Sequence, residues 1–140
     1  MKKLIILASA IYLMCSCGPE PEDMITDYII KNSTMHNVEL TIFYTFFDKN
    51  NGDTTFSIPA KEEIKESYFS MNIDSPFGGA EDSAYIIFDN AKQIIYRRDD
   101  GQLRNILDIN SYLGGEVKEY WYQYQYTITD EDYANALEIK

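Results

Sequence analysis

Basic residues are scarce in this chain: 12 Lys and Arg stand against 23 Asp and Glu, for a formal net charge of −11. Nucleic-acid binding needs a cationic footprint that displaces phosphate counterions, and none is present. The acidity suits solubility, and anionic lipid headgroups would repel the chain. Histidine is scarcer still. His36 is the only one, in Thr34-Met35-His36-Asn37, a segment that reads as a loop between strands. One histidine cannot build a typical zinc site. No nucleophile motif accompanies it, so no triad is expected, and His36 is read as a loop residue without a special role. Long apolar runs are missing too. The longest, Leu4 to Met14, is clearly shorter than the roughly 20 residues that cross a bilayer as a helix. There is no internal repeat, low-complexity block or second linker.

The two cysteines, Cys15 and Cys17, both lie near the start. Met1-Lys2-Lys3 is a short positive segment, and the apolar stretch that follows has signal-peptide length. A buried N-terminal helix is the structural alternative. It is disfavoured because Gly18-Pro19-Glu20-Pro21-Glu22-Asp23 can neither extend a helix nor pack a core. The end of the apolar stretch, Met14-Cys15-Ser16-Cys17, resembles the lipobox of bacterial lipoproteins. Ser16 is the small residue before the cut, and Cys17 is the lipid acceptor. Cys15 is the poorer candidate, because bulky Met14 precedes it. Met14 and Cys15 depart from the commonest lipobox residues, Leu and Ala or Ser. An ordinary secretory signal shares the same positive and apolar regions and is the alternative.

This resemblance implies a division of the chain. Residues 1–16 leave as a signal peptide, residues 17–23 carry lipid on Cys17 and form an acidic tether, and residues 24–140 make one domain. The mature chain then keeps no free thiol and no disulfide, which excludes cysteine catalysis and a disulfide framework. Stability must come from an ordinary core, and about 124 residues are enough for one. In Bacteroidetes lipoproteins, acidic residues just after the lipidated cysteine resemble a signal for display on the outer face of the outer membrane. Here Glu20, Glu22 and Asp23 are interrupted by Pro21, and a solvated tether explains them equally. The expected address is the outer membrane, lipid-anchored and surface-exposed, with a periplasm-facing domain as the alternative.

From residue 24 onward the dominant pattern is period-two alternation of β-branched and aromatic residues between Gly, Asn, Asp and Pro. Strands are predicted at Asp27 to Asn32, Val38 to Phe47 and Thr54 to Ile58. A hairpin loop over Asp48 to Asp53 follows the second, with Asn51-Gly52 supplying residues that tolerate positive φ. Lys61 to Phe69 reads as a strand rather than a helix, with Ile64, Glu66 and Tyr68 on one face. Asn72 to Asp82 is a loop. Tyr85 to Phe88 and Gln93 to Tyr96 form a hairpin across Asp89-Asn90-Ala91-Lys92. Leu103 to Leu113 is mixed, a short strand or one helical turn, ended by Gly114-Gly115. Glu116 to Thr129 reads as the longest strand. A Thr129 cap with acids in the first turn predicts a short C-terminal helix. The expected fold is an all-β, antiparallel β-sandwich with immunoglobulin-like topology, although a Cys-Trp-Cys core is absent.

Candidate chemistry is sparse. Asp48 to Asp53 superficially resembles an EF-hand loop, but its glycine falls one position early and the closing glutamate is missing. Asp99, Asp100 and Asp130, Glu131, Asp132 are explained by turns and helix capping without a metal. With 23 acids some close pairs are guaranteed, and nothing marks two as a glycosidase pair. No catalytic residue, metal or cofactor is expected. Aromatic content is the unusual feature, with 12 Tyr, 7 Phe and 1 Trp. The stripe Tyr120, Tyr122, Tyr124 and Tyr126 is read as core. Its opposite face, Trp121 with Gln123 and Gln125, is then the candidate contact surface for a ligand or partner.

Taken together, these segments resemble the small surface lipoproteins of Bacteroidetes that carry a β-sandwich domain. The carriers are the Cys17 lipobox, Tyr28-Ile29-Ile30-Lys31-Asn32-Ser33, Ile86-Ile87-Phe88-Asp89-Asn90, Arg104-Asn105-Ile106-Leu107, and Tyr126-Thr127-Ile128-Thr129-Asp130-Glu131-Asp132-Tyr133. The resemblance implies a compact β domain and a membrane address; it supplies no activity. The expected function is a non-enzymatic binding or accessory module contacting a protein partner, an outer-membrane protein being the expected kind. A carbohydrate-capture lipoprotein using exposed aromatics is the alternative. A surface enzyme using carboxylates and a fimbrial subunit are weaker readings.

Overall fold

The structure is a computed structural model, and it describes residues 24–44, 52–70, 75–98 and 100–140. The predicted signal peptide, Cys17 and the predicted tether lie outside the described residues, as do the end of the second predicted strand and most of the Asp48 to Asp53 loop. The strands are β1 (Met24–Asn32), β2 (Val38–Tyr44), β3 (Thr54–Ile58), β4 (Glu63–Ser70), β5 (Glu81–Phe88), β6 (Lys92–Arg97), β7 (Leu113–Lys118), β8 (Trp121–Ile128) and the two-residue β9 (Leu137–Glu138). A helix, α1 (Asp130–Asn135), precedes β9. Two sheets result, ordered β4-β1-β8-β7 and β3-β2-β5-β6-β9.

This is the expected all-β sandwich with a short C-terminal helix. The immunoglobulin-like order is not confirmed. In that order the first strand lies beside the second. Here β1 lies between β4 and β8, and it runs parallel to β8 from Ile25↔Trp121 to Asn32↔Ile128.

Alternation along each strand builds the core. Tyr28 and Ile30 of β1, Leu40 and Ile42 of β2, Ala84, Ile86 and Phe88 of β5, and Tyr126 and Ile128 of β8 all point between the sheets and are buried. Burying each large apolar side chain contributes roughly 1.5–3 kcal/mol before chain entropy is counted. The tyrosines pack by their edges: Tyr28 meets Tyr68 and Tyr112 with ring centroids 5.9 Å apart in both pairs. The β4 alternation is as predicted, with Ile64, Glu66 and Tyr68 half-buried and Lys65, Ser67 and Phe69 exposed.

Local signals set the connections. Between β5 and β6, Asp89 and Asn90 take φ of 47° and 57°, and the Ala91 N–H donates to the Phe88 carbonyl at 2.9 Å. Two consecutive left-handed residues are what a tight hairpin with right-twisted strands needs. Thr129 caps α1 in a capping box: its N–H donates to Asp132 Oδ2 at 2.7 Å, and the Asp132 N–H donates back to Thr129 Oγ1. The mixed segment before β7 resolves as a helical turn, a 3-10 turn over Ile109–Ser111 capped by Asp108. Ile106, Leu107 and Tyr112 of this connection enter the core, and the Tyr112 hydroxyl donates to the Ile106 carbonyl at 2.8 Å.

Two expectations are corrected here. Gly114-Gly115 does not end an element but sits inside β7, and Glu116 to Thr129 is not one strand. The chain reverses at Glu119 and Tyr120, so β7 and β8 form a hairpin. The reversal carries no Gly or Pro, and the tyrosine stripe of β8 starts within it at Tyr120, so alternation masked it. Tyr120 takes φ of 61° in the turn and is 40% exposed, outside the inward stripe.

The pairing also orients the domain. Met24 pairs with Ser70, and the Ile25 N–H donates to the Tyr120 carbonyl at 2.9 Å. Met24, the first described residue, therefore lies at the end of the sheet that carries the β7–β8 turn. The β1–β2 loop, the β5–β6 turn and α1 occupy the opposite end.

Gly114 tests the β7–β8 pairing. Its φ is +151°, and a Cβ there would sit 2.0 Å from the Gln123 carbonyl oxygen. Gly114→Ala is expected to destabilise the fold by about 2 kcal/mol or more, read as a lower urea midpoint. A variant with an unchanged midpoint would mean that β7 does not pair so closely.

Candidate functional site

Odd-numbered residues of β1, β4 and β8 face outward from the β4-β1-β8-β7 sheet. Register places them in rows: Phe69, Ile25 and Trp121 in one, Ser67, Asp27 and Gln123 in the next, Lys65, Ile29 and Gln125 in the third. On β7, Leu113 pairs with Gln125 and Lys118 with Trp121. The predicted trio Trp121, Gln123 and Gln125 thus lies together on the outer face, with Tyr124 and Tyr126 of the same strand packed inward.

The centre of this face is a carboxylate that alternation alone would leave in water. Asp27 is 1% exposed. Ser67 Oγ donates to its Oδ1 at 2.6 Å, Trp121 Nε1 donates to its Oδ2 at 2.8 Å, and Lys65 Nζ lies 2.7 Å from Oδ2. Burial pushes the Asp27 carboxyl up. The hydrogen bonds from Lys65, Ser67 and Trp121 and the Lys65 charge outweigh it, so the group is held below its usual range. A buried charge persists only when paired and hydrogen-bonded in this way.

Trp121 is therefore half-buried and partly committed. Its N–H belongs to Asp27, and the ammonium groups of Lys118 and Lys65 lie over its ring at 4.8 and 5.9 Å. Gln125 Nε2 donates to Thr127 Oγ1 at 3.1 Å. Gln123 makes no side-chain hydrogen bond within the described residues. Around this polar frame stand exposed apolar side chains, with Phe69 75%, Leu113 80% and Val117 55% exposed. Sequence reasoning did not single out Asp27, Lys65, Ser67 or Phe69. The available signal was a lone acid between Ile25 and Ile29 in an apolar strand.

The other charged groups serve the fold. His36 lies in the β1–β2 loop as expected, but it is not idle: Nδ1 is 2.6 Å from Asp89 Oδ2, and the ring stacks on Tyr133 at 3.7 Å. That bond, then one from the Asn37 N–H, holds the Asp89 carboxyl below its ordinary range. A shallow depression of about 360 Å³ beside it is lined by Asn37, Val38, Glu39, Ser57, Ile87, Asp89 and Asn90. Glu81 is buried and paired with Arg98 Nη2 at 2.8 Å. Asp132 caps α1 and is ion-paired with Arg104 at 3.3 Å, and Asp100 accepts from the Arg97 and Gln102 N–H groups in a turn. Among the described residues no group of three or more His, Cys, Asp or Glu converges as a metal site. No helix among them is long and apolar enough to cross a membrane.

Comparison with known proteins finds no matching family model, no matching curated protein and no matching solved structure. The class is set by the coordinates alone: a small two-sheet β-sandwich with a mixed polar and apolar outer face built around a buried ion pair.

Asp27 gives a pH test. Its folded pKa lies below the unfolded value near 3.8, so its contribution is complete above that value and is lost as pH falls through the folded pKa. Asp27→Asn is expected to cost about 2–4 kcal/mol at pH 7. Its stability should then decline less than that of the parent below about pH 4, measured by urea titration across pH 7 to 2. Parallel acid limbs would show that Asp27 is not the coupled group.

Proposed function

We propose that the chain is a membrane-tethered, non-enzymatic binding or accessory module outside the cytoplasm. It is held by lipid on Cys17 at the outer membrane and contacts a protein partner through the outer face of the β4-β1-β8-β7 sheet. The observation that carries this reading is that Leu113, 80% exposed, pairs with Gln125 beside Gln123 on a face braced by the Asp27 frame. Amides beside a large exposed apolar side chain suit a polar-rimmed contact surface. The ion pair beneath holds three strands in fixed register, so a partner would meet a preorganised surface. The lipobox, the acidic tether and the resemblance to Bacteroidetes surface lipoproteins support the address.

Carbohydrate capture is less well supported. Stacking needs an open aromatic face, while Trp121 is overlaid by Lys118 and Lys65 and the inward tyrosines pack in the core. A carboxylate enzyme needs a desolvated acid free to exchange a proton. Among the described residues the buried carboxylates Asp27, Glu81 and Asp132 are instead paired with Lys65, Arg98 and Arg104.

Two measurements test the reading. Cys17→Ser is expected to move the protein from the membrane fraction to the soluble one and to abolish labelling by a clickable fatty acid. Unchanged partitioning would sink the anchor. Separately, a photocrosslinking residue at Gln123 in intact cells is expected to capture one specific outer-membrane protein, identified by mass spectrometry. Leu113→Glu with Gln125→Glu should cut that capture at least about tenfold, the effect of losing only about 1.4 kcal/mol of contact energy. Capture unaffected by both charges would place the partner elsewhere. A protease-accessible protein with no crosslink would favour a soluble ligand.

A further inference from the structure

The outer face changes character along its length. At the end where the chain enters, the row is Phe69, Ile25 and Trp121, flanked by Val117, Lys118 and Tyr120. At the far end the corresponding row is Glu63, Lys31 and Thr127. The apolar end is the one nearest the proposed anchor. Six residues, Gly18 to Asp23, separate the lipid acceptor Cys17 from Met24. From Cys17 to Met24 the chain can reach at most about 25 Å. A tether of that length keeps the entry end of the domain close to the headgroups.

We propose that this row seats on the bilayer that holds Cys17, with Phe69, Val117, Tyr120 and Trp121 at the headgroup level. The inference rests on the lipid-anchor reading above. Tryptophan and tyrosine favour the membrane–water boundary because they join an apolar ring to a polar edge. Lys118, with its ammonium 4.8 Å from the Trp121 ring centre, is placed to lay its stem on the apolar surface and its charge among phosphates. Glu116 and Glu119 flank the row, so the seating relies on apolar burial and not on attraction to anionic lipid. Once seated, the domain presents Gln123, Gln125 and Leu113 sideways, in the plane where a membrane-resident partner would lie.

The sole tryptophan of the chain reports on this row alone. The mature chain, residues 17–140, has Cys17 as its only thiol. It can be coupled there to a maleimide lipid in phosphatidylcholine vesicles whose acyl chains carry bromine near the headgroup. The expected result is a roughly twofold loss of Trp121 fluorescence against unbrominated vesicles, because a side chain at the headgroup–acyl boundary lies within reach of the bromines. Added salt should leave the loss unchanged. Phe69→Glu with Val117→Glu, both at exposed positions, should restore the fluorescence while the circular dichroism stays that of the parent. Vesicle-bound protein with unquenched Trp121 overturns the proposal, as would be seen if a second copy or a protein covered the row. Quenching that persists in the double variant overturns it too. Because the anchor is supplied chemically, absence of lipid on Cys17 in cells would sink the lipoprotein reading without altering this measurement.

Discussion

The parallel pairing of β1 with β8 is the contact on which the first sheet depends. It joins the first described strand to one near the end of the chain, through eight register pairs. β4 attaches only to β1 and β7 only to β8, so without this pairing the sheet falls into two separate hairpin-like halves. Closing so long a loop costs chain entropy before any contact rewards it. The return comes on both faces at once. Inside, Tyr28 stacks on Tyr124 at 6.1 Å, and Tyr126 is buried. Outside, the Trp121 indole reaches Asp27 across the same pair of strands.

That outside contact gives the face its character. Asp27 gathers a lysine and a serine from β4 and the indole from β8, and each donor offsets part of the cost of burying a charge. The result is a charged frame that orients its neighbours but is itself shielded. Phe69, Leu113 and Val117 then project from strands whose positions are already set. At the opposite end the His36–Asp89 pair and the buried Asn32 play the corresponding role. Asn32 Nδ2 donates to the His36, Ile58 and Pro59 carbonyls, tying the β1–β2 loop to the end of β3. The sandwich is thus clamped at one end and offers its apolar row at the other.

Much of this was legible residue by residue. The β5–β6 hairpin followed from two apolar runs around Asp89-Asn90, and α1 followed from Thr129 with Asp132 three positions on. The strand at β4 was readable despite its charges, because Ile64, Glu66 and Tyr68 keep period two. The face bearing Trp121, Gln123 and Gln125 was also readable, since alternation requires it to oppose Tyr124 and Tyr126. The β7–β8 turn was not. Glu119 and Tyr120 lack turn chemistry, and the left-handed φ of Tyr120 is imposed by the strands on either side. Asp27 could not be recognised as a buried centre, because its partners lie 40 and 94 residues away at Ser67 and Trp121.

The sequence by itself determined which side chains of each strand share a face, where the hairpin between β5 and β6 turns, how α1 begins, and the excess of acidic over basic charge. These are properties of neighbouring residues, carried by periodicity, capping and net charge. Only the tertiary structure decided the strand order, the parallel meeting of β1 and β8, and the conversion of an outward aspartate into a buried, paired one. Those outcomes depend on which distant segments fit together in shape and charge, and a period-two pattern is the same whichever neighbour a strand finally takes.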